Sequence, residues 1–188
     1  MSEIFTGKYK GKILTIPNLL SFIRICLIPI IVFTFIEANY FICGTILLLS
    51  SLTDILDGMI ARRFNMISDV GKVLDPIADK ATQLVVAILL STKYSYMILL
   101  IALCLIKEIF MAITGYMVIK KQNIVLGAEW YGKLSTIIVI LTMLLHLFWY
   151  NISPSISFIT ISVSSATVIL SLALYCIRNF TYILSAQK

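Results

Sequence analysis

Read from the amino terminus, the chain alternates long apolar runs with short polar breaks. A window of about 19 residues picks out six runs, at about 17–37, 40–60, 73–92, 95–119, 132–150 and 154–177. Each is close to the roughly 20 residues that an α-helix needs to cross a hydrocarbon layer. In such a layer the backbone polar groups must be satisfied within the segment, as a helix does. The pattern predicts an all-α integral membrane protein with six transmembrane helices and short connections, residues 1–188 forming a single domain. No sequence repeat, Gly/Ser linker or low-complexity tract interrupts it.

Composition agrees. Of 188 residues, 60% are hydrophobic and 13% charged, and the mean hydropathy of +1.02 excludes a water-soluble catalytic domain. The net charge of +6 reads as membrane sidedness, not as a nucleic-acid footprint, so no nucleic-acid partner is expected. Lys8, Lys10, Lys12 and Arg24 stand before or at the start of the first run, Arg62, Arg63, Lys72 and Lys80 between the second and third. Lys107, Lys120, Lys121 and Lys133 surround the fourth connection, and Arg178 and Lys188 follow the sixth run. Only Lys93 falls on the other side, so the positive-inside rule places both termini in the cytoplasm of a multi-pass cell-membrane protein.

The remaining chemistry is sparse. Cys26, Cys43, Cys104 and Cys176 form no CxxC pair, which gives neither a disulfide framework nor a thiolate metal site. The start of the chain shows no cleavage pattern and is expected to stay on the mature protein. Trp130 and Tyr131 at the inner side, and Trp149 and Tyr150 at the outer, sit where an aromatic belt would. His146, the one histidine, lies in an apolar run and is read as a packed side chain.

The carboxylates are different. All five aspartates, Asp54, Asp57, Asp69, Asp75 and Asp79, fall within residues 54–79. Asp54 and Asp57 are three apart at the end of the second run and share a helix face, with the small Gly58 and Ala61 beside them leaving room for a ligand. Gly71, Asp75 and Asp79, each four apart, form a second stripe. Four carboxylates converging at membrane depth repel one another unless cations neutralise them. Pairing with Arg62, Arg63, Lys72 and Lys80 is the simpler alternative, but four at this spacing favour one divalent ion or two. An all-oxygen donor set selects a hard ion, Mg²⁺ or Mn²⁺. Asp69 is read as a loop or helix-start residue.

Written out, the segment is Asp54-x2-Asp57-Gly58-x2-Ala61-Arg62-x8-Gly71-x3-Asp75-x3-Asp79, and it resembles the signature of the CDP-alcohol phosphatidyltransferase family at every fixed position. The opening run Ile16 to Arg24 is similar to the first helix of the family's bacterial phosphatidylglycerophosphate synthases. The resemblance implies transfer of a phosphatidyl group from CDP-diacylglycerol to an alcohol, with release of CMP, by a homodimer in contact with membrane lipids. It implies that Asp54, Asp57 and Asp75 hold metal, and that Asp79 helps hold a second ion and takes the proton of the acceptor hydroxyl. Gly58, Ala61 and Gly71 would let the cytidine and diphosphate approach the backbone, and Asn18, Arg24 and Arg62 would contact the nucleotide and phosphates. The active site would then face the cytoplasm, where a nucleotide-bearing lipid presents its headgroup.

The acceptor is less sharply marked. The synthases resembled usually carry Arg-Glu in the fourth run, a second Arg eight residues later, and Gly-Lys-x-Lys-Thr in the fifth. Here the residues are Lys107-Glu108, Gly115 and Gly132-Lys133-Leu134-Ser135-Thr136. Lys107 and Lys133 remain as partners for an acceptor phosphate, and glycerol 3-phosphate is the favoured acceptor. The same segments also resemble the family's cardiolipin synthases, whose acceptor is phosphatidylglycerol, and inositol, serine or choline stay open. An intramembrane prenyltransferase would need two separated Asp-rich motifs and more spans. A divalent-metal transporter would need polar groups through the bilayer, which the fifth and sixth runs lack.

Overall fold

The structure is a computed structural model that describes the backbone of residues 16–63, 71–122, 124 and 126–185; side chains at 16–17, 54–63, 71–74, 122 and 185 are outside the described set. Six helices follow in order: α1 (Ile16–Ile36), α2 (Tyr40–Arg63), α3 (Gly71–Ser91), α4 (Met97–Gln122), α5 (Trp130–Phe148) and α6 (Pro154–Ser185). No strand occurs among the described residues. The helices match the six apolar runs, except that α6 continues beyond residue 177. Arg178 reads as the end of the sixth run, but the helix continues beyond it, and Tyr175, Asn179 and Ile183, each four apart, keep one face buried.

Among the described residues, four helices contain stretches long and apolar enough to cross a membrane, Asn18–Ile36, Met97–Lys121, Trp130–Phe148 and Pro154–Leu184, and α2 adds a shorter apolar run, Tyr40–Thr53. α3 carries Lys72, Asp75, Asp79 and Lys80 in its first ten residues and turns apolar afterwards.

The chain divides into two compact units, Met1–Leu89 and Leu90–Lys188. In the first, α1 packs against α2. Their connection is a tight helix stop: Asn39 N–H donates to Thr34 O at 2.9 Å and Ala38 N–H to Phe35 O at 3.1 Å, the bond pair of a Schellman motif. Its left-handed position is held by Ala38, with φ of 58°, where glycine is usual. The rings of Phe35 and Tyr40 meet edge-on at 5.2 Å across the turn.

In the second unit α6 packs against both α4 and α5. Its buried positions Ser157, Ile161, Ser164, Val168, Ser171 and Tyr175 alternate steps of four and three, a seam whose serines let backbones approach closely, as helix packing in lipid requires. At one end His146 is fully buried, with Nδ1 2.7 Å from Thr142 O and Nε2 2.9 Å from Ser157 Oγ. The carbonyl can only accept, so Nδ1 carries the proton and Ser157 donates to Nε2. Tyr94 packs edge-on against this imidazole at 4.6 Å. The Lys93 ammonium lies 3.7 Å from the centre of the Tyr150 ring and 3.0 Å from Asn151 Oδ1, closing the α5–α6 turn.

Candidate active site

In the first unit, α1 presents a polar face. Asn18, Ser21 and Arg24 are spaced by three and all buried, at 6%, 0% and 1% exposure. Three-residue spacing keeps them on one side of the helix, so an otherwise apolar span turns an amide, a hydroxyl and a guanidinium inward. The Ser21 hydroxyl donates to Asp75 Oδ1 on α3. One turn on, Asp79 Oδ1 accepts from Gln83 Nε2 at 2.8 Å. Asp75 and Asp79 are both half-buried, and Pro76 between them leaves the carbonyl one turn earlier without its usual helical donor.

Asn18, Arg24, Asp75 and Asp79 were picked out from sequence; Ser21 and Gln83 were not. The signal that could have found them is spacing alone: Ser21 is the midpoint of Asn18 and Arg24, and Gln83 is the next i+4 step after Asp79. The backbone of Asp54, Asp57, Gly58, Ala61 and Arg62 lies in the last three turns of α2, and Gly71 opens α3. The side chains of these residues lie outside the described set, and Asp69 lies outside it altogether. Among the described residues no three metal-type ligands converge; Asp75 and Asp79 are the two of the four carboxylates described. Their donor set fits a hard divalent ion. Each carboxylate offers about four lone-pair positions, so the bonds from Ser21 and Gln83 orient the oxygens while leaving capacity for a cation.

In the second unit, Met97, Leu100, Lys107, Thr114 and Val118 form the buried face of α4, and Lys107 is the charge in it. A buried ammonium requires partners. Its Nζ donates to Ser135 Oγ on α5 at 3.2 Å and lies 3.9 Å from Glu108 Oε1. Ser135 in turn donates to Gly132 O at 2.9 Å. Lys133 is exposed; two residues from Ser135, it lies roughly 200° round the helix, so Lys107 is brought to Ser135 and not to Lys133. At Gly115 an added Cβ would meet nothing within 4 Å.

Compared with known proteins, residues 14–177 match the CDP-alcohol phosphatidyltransferase family. The chain belongs to that family. A CDP-diacylglycerol–glycerol-3-phosphate 3-phosphatidyltransferase of Aquifex aeolicus is 30% identical over 176 residues, covering 90% of this chain and 98% of that protein. One of the same name from Blochmanniella floridana is 34% identical over 137 residues, 69% of this chain and 70% of the relative. The human cardiolipin synthase (CMP-forming) is 36% identical over 124 residues, 65% of this chain but 36% of that protein. For a CDP-alcohol phosphatidyltransferase, the matched stretch takes in the α1 polar face, the carboxylates of α2 and α3, and Lys107 with Ser135. Arg178 is the first residue beyond it.

Proposed function

We propose that this CDP-alcohol phosphatidyltransferase moves the phosphatidyl group of CDP-diacylglycerol to glycerol 3-phosphate, forming phosphatidylglycerophosphate and CMP. The acceptor hydroxyl oxygen bonds to the phosphorus that carries the diacylglycerol. The bond from that phosphorus to the bridging oxygen breaks, and CMP leaves with that oxygen. The hydroxyl proton passes to Asp79. The relative from Aquifex aeolicus, similar along nearly its whole length, supports this choice of acceptor.

The observation that carries the reading is the oriented carboxylate pair: Asp75 held by Ser21 and Asp79 held by Gln83 one turn apart on α3. Asp54, Asp57 and Asp75 are assigned to divalent metal, with Asp79 also reaching a second ion; Mg²⁺ or Mn²⁺ suits these oxygens. Bound there, the ions would neutralise the diphosphate and the charge developing on CMP. Asn18, Arg24 and Arg62 contact the nucleotide and phosphates, and Gly58, Ala61 and Gly71 make room for them. An ionisable side chain buried in a membrane-spanning helix marks function by default, and on that ground Lys107 is assigned to the acceptor phosphate; the exposed Lys133 is kept as its second partner on the resemblance alone. The protein is placed in the cell membrane as a homodimer, one catalytic domain with six crossings, with both termini and the acidic motif toward the cytoplasm.

One observation favours cardiolipin synthesis as the second reading. The residue that the buried Lys107 ammonium meets on α5 is the neutral Ser135, where the resembled phosphatidylglycerophosphate synthases carry a second lysine, and one cation fewer suits the singly charged phosphodiester of phosphatidylglycerol. The test is purified protein with CDP-diacylglycerol and Mg²⁺ or Mn²⁺, offered glycerol 3-phosphate, phosphatidylglycerol, inositol, serine and choline in turn. Phosphatidylglycerophosphate identified by mass, only with the first acceptor and only with metal, is the expected result. Cardiolipin from the second would transfer the assignment to that reading.

A further inference from the structure

We propose that Tyr175 and Arg178 of α6 are positioning residues for the alcohol acceptor, because they fix the first turn of α5 and through it the Ser135–Lys107 pair. The inference rests on the assignment of Lys107 to the acceptor made above. It starts from how α5 begins. Its N-cap, Glu129, is extended, and its side chain makes no capping hydrogen bond to the helix. Ser, Thr, Asp or Asn would normally stand there and satisfy the free N–H groups.

The Glu129 carboxylate is turned instead to α6, where Arg178 Nη1 lies 3.0 Å from its Oε1. The same Nη1 donates to Gly127 O at 2.9 Å, so one guanidinium holds the approach to the helix and its N-cap together. The Glu129 N–H donates to the Tyr175 hydroxyl at 3.1 Å. The guanidinium carbon of Arg178 stands 4.8 Å from the centre of the Tyr175 ring, and its Nε donates to Asn179 Oδ1 at 3.1 Å. Asn179 reaches the other way, donating to Thr114 Oγ1 of α4 at 2.7 Å.

The second hold is steric. A Cβ at Gly132 would lie 2.8 and 2.9 Å from Tyr175 ring carbons, so the ring rests on the backbone of the first turn of α5, an approach that only glycine permits. Gly132 O is the acceptor of the Ser135 hydroxyl, and Ser135 Oγ is the acceptor of the Lys107 ammonium. Every step from Arg178 to Lys107 is therefore a direct contact. With Arg178 15% and Glu129 44% exposed, the ion pair contributes little to stability by itself. Its effect is geometric: a slip of one residue in α5 would swing Ser135 by about 100° and remove it from Lys107.

The test is steady-state kinetics of the full-length enzyme, with KM measured separately for CDP-diacylglycerol and for whichever of glycerol 3-phosphate and phosphatidylglycerol it uses. Arg178→Gln and Tyr175→Phe should each raise the acceptor KM by about tenfold or more, the scale of a small misplacement of a binding group, with the donor KM unchanged. Exchanging the charges, Arg178→Glu with Glu129→Arg, should recover most of that loss relative to Arg178→Glu alone. If Arg178→Gln does not fold, Tyr175→Phe decides, since it keeps the ring and removes only the hydroxyl. An unchanged acceptor KM, or an equal rise in both KM values, overturns the proposal. Lys107→Gln separates the two claims. If it raises the acceptor KM while Arg178→Gln and Tyr175→Phe do not, the latch is wrong and the acceptor assignment stands. If it leaves the acceptor KM unchanged while the α6 variants raise it, the α6 residues position the acceptor by another route and the assignment of Lys107 falls.

Discussion

The hydroxyl of Ser21 on α1 donates to the carboxylate of Asp75 on α3, 54 residues along the chain. This bond joins a residue that reads as ordinary helix filler to one at the centre of the acidic motif. Ser21 is fully buried, and a hydrogen bond to a charged group is worth about 1.5–3 kcal/mol. Ser21→Ala should therefore leave Asp75 free to turn and raise the Mn²⁺ concentration for half-maximal activity by roughly tenfold. Titration of activity against metal checks it, and an unchanged midpoint would mean that Asp75 is oriented by something else.

Much of this was legible in the sequence, for identifiable reasons. Apolar length fixes helices in a membrane because lipid offers the backbone no other partner, so all six elements could be read from hydropathy. The carboxylates were legible because aspartate is costly there and four appear at helical spacing. Ser21 and Gln83 were not, because serine acquires meaning only from what a neighbouring helix places against it, and a glutamine one turn from an aspartate is ordinary on any helix. The continuation of α6 past Arg178 escaped because a charged residue reads as the end of an apolar run, whereas the apolar stretch continues to Leu184 and Tyr175, Asn179 and Ile183 keep one face buried.

The proposed sidedness rests on the distribution of lysines and arginines and has its own check. Single cysteines placed at Asn65 and at Asn151 in a cysteine-free background should react with an impermeant reagent from opposite faces of sealed vesicles, Asn65 from the cytoplasmic one. Labelling of both from one face would refute the orientation.

The helix stop at Ala38 gives a prediction about stability alone. A non-glycine residue in the left-handed region costs about 1–2 kcal/mol, part of which glycine gives back through its freer unfolded chain. With φ of 58° at Ala38, Ala38→Gly should stabilise the first unit by about 0.5–1 kcal/mol, seen as a higher thermal midpoint in detergent. Ala38→Val should lower it. A fall with glycine would show that this turn differs in the folded protein.

Gly115 bears on the choice of acceptor. It stands where the resembled synthases carry an arginine, and an added Cβ there would meet nothing within 4 Å. Gly115→Arg should fold, gaining up to about 1 kcal/mol of helix propensity. If glycerol 3-phosphate is the acceptor, the added guanidinium should lower its KM several-fold while leaving that for CDP-diacylglycerol unchanged. A higher KM for glycerol 3-phosphate, with the protein intact, would argue that the open space at Gly115 serves a different acceptor.

The base is the sharpest point. Asp79 lies one turn beyond Asp75 on the same face of α3, with Oδ1 held by Gln83 at 2.8 Å, a bond that orients the carboxylate from its own helix. Asp79→Asn keeps the size of the side chain and removes its basicity. If Asp79 takes the acceptor proton, the variant should still bind CDP-diacylglycerol in the presence of metal, while turnover falls by about a hundredfold or more, the usual scale for loss of a general base. Asp57→Asn should behave differently, weakening metal and donor binding together. Chelation with EDTA should abolish CMP release in the unmodified enzyme, and Mg²⁺ or Mn²⁺ should restore it. Near-normal turnover of Asp79→Asn at saturating donor would assign the proton to another group and leave Asp79 as a metal ligand alone.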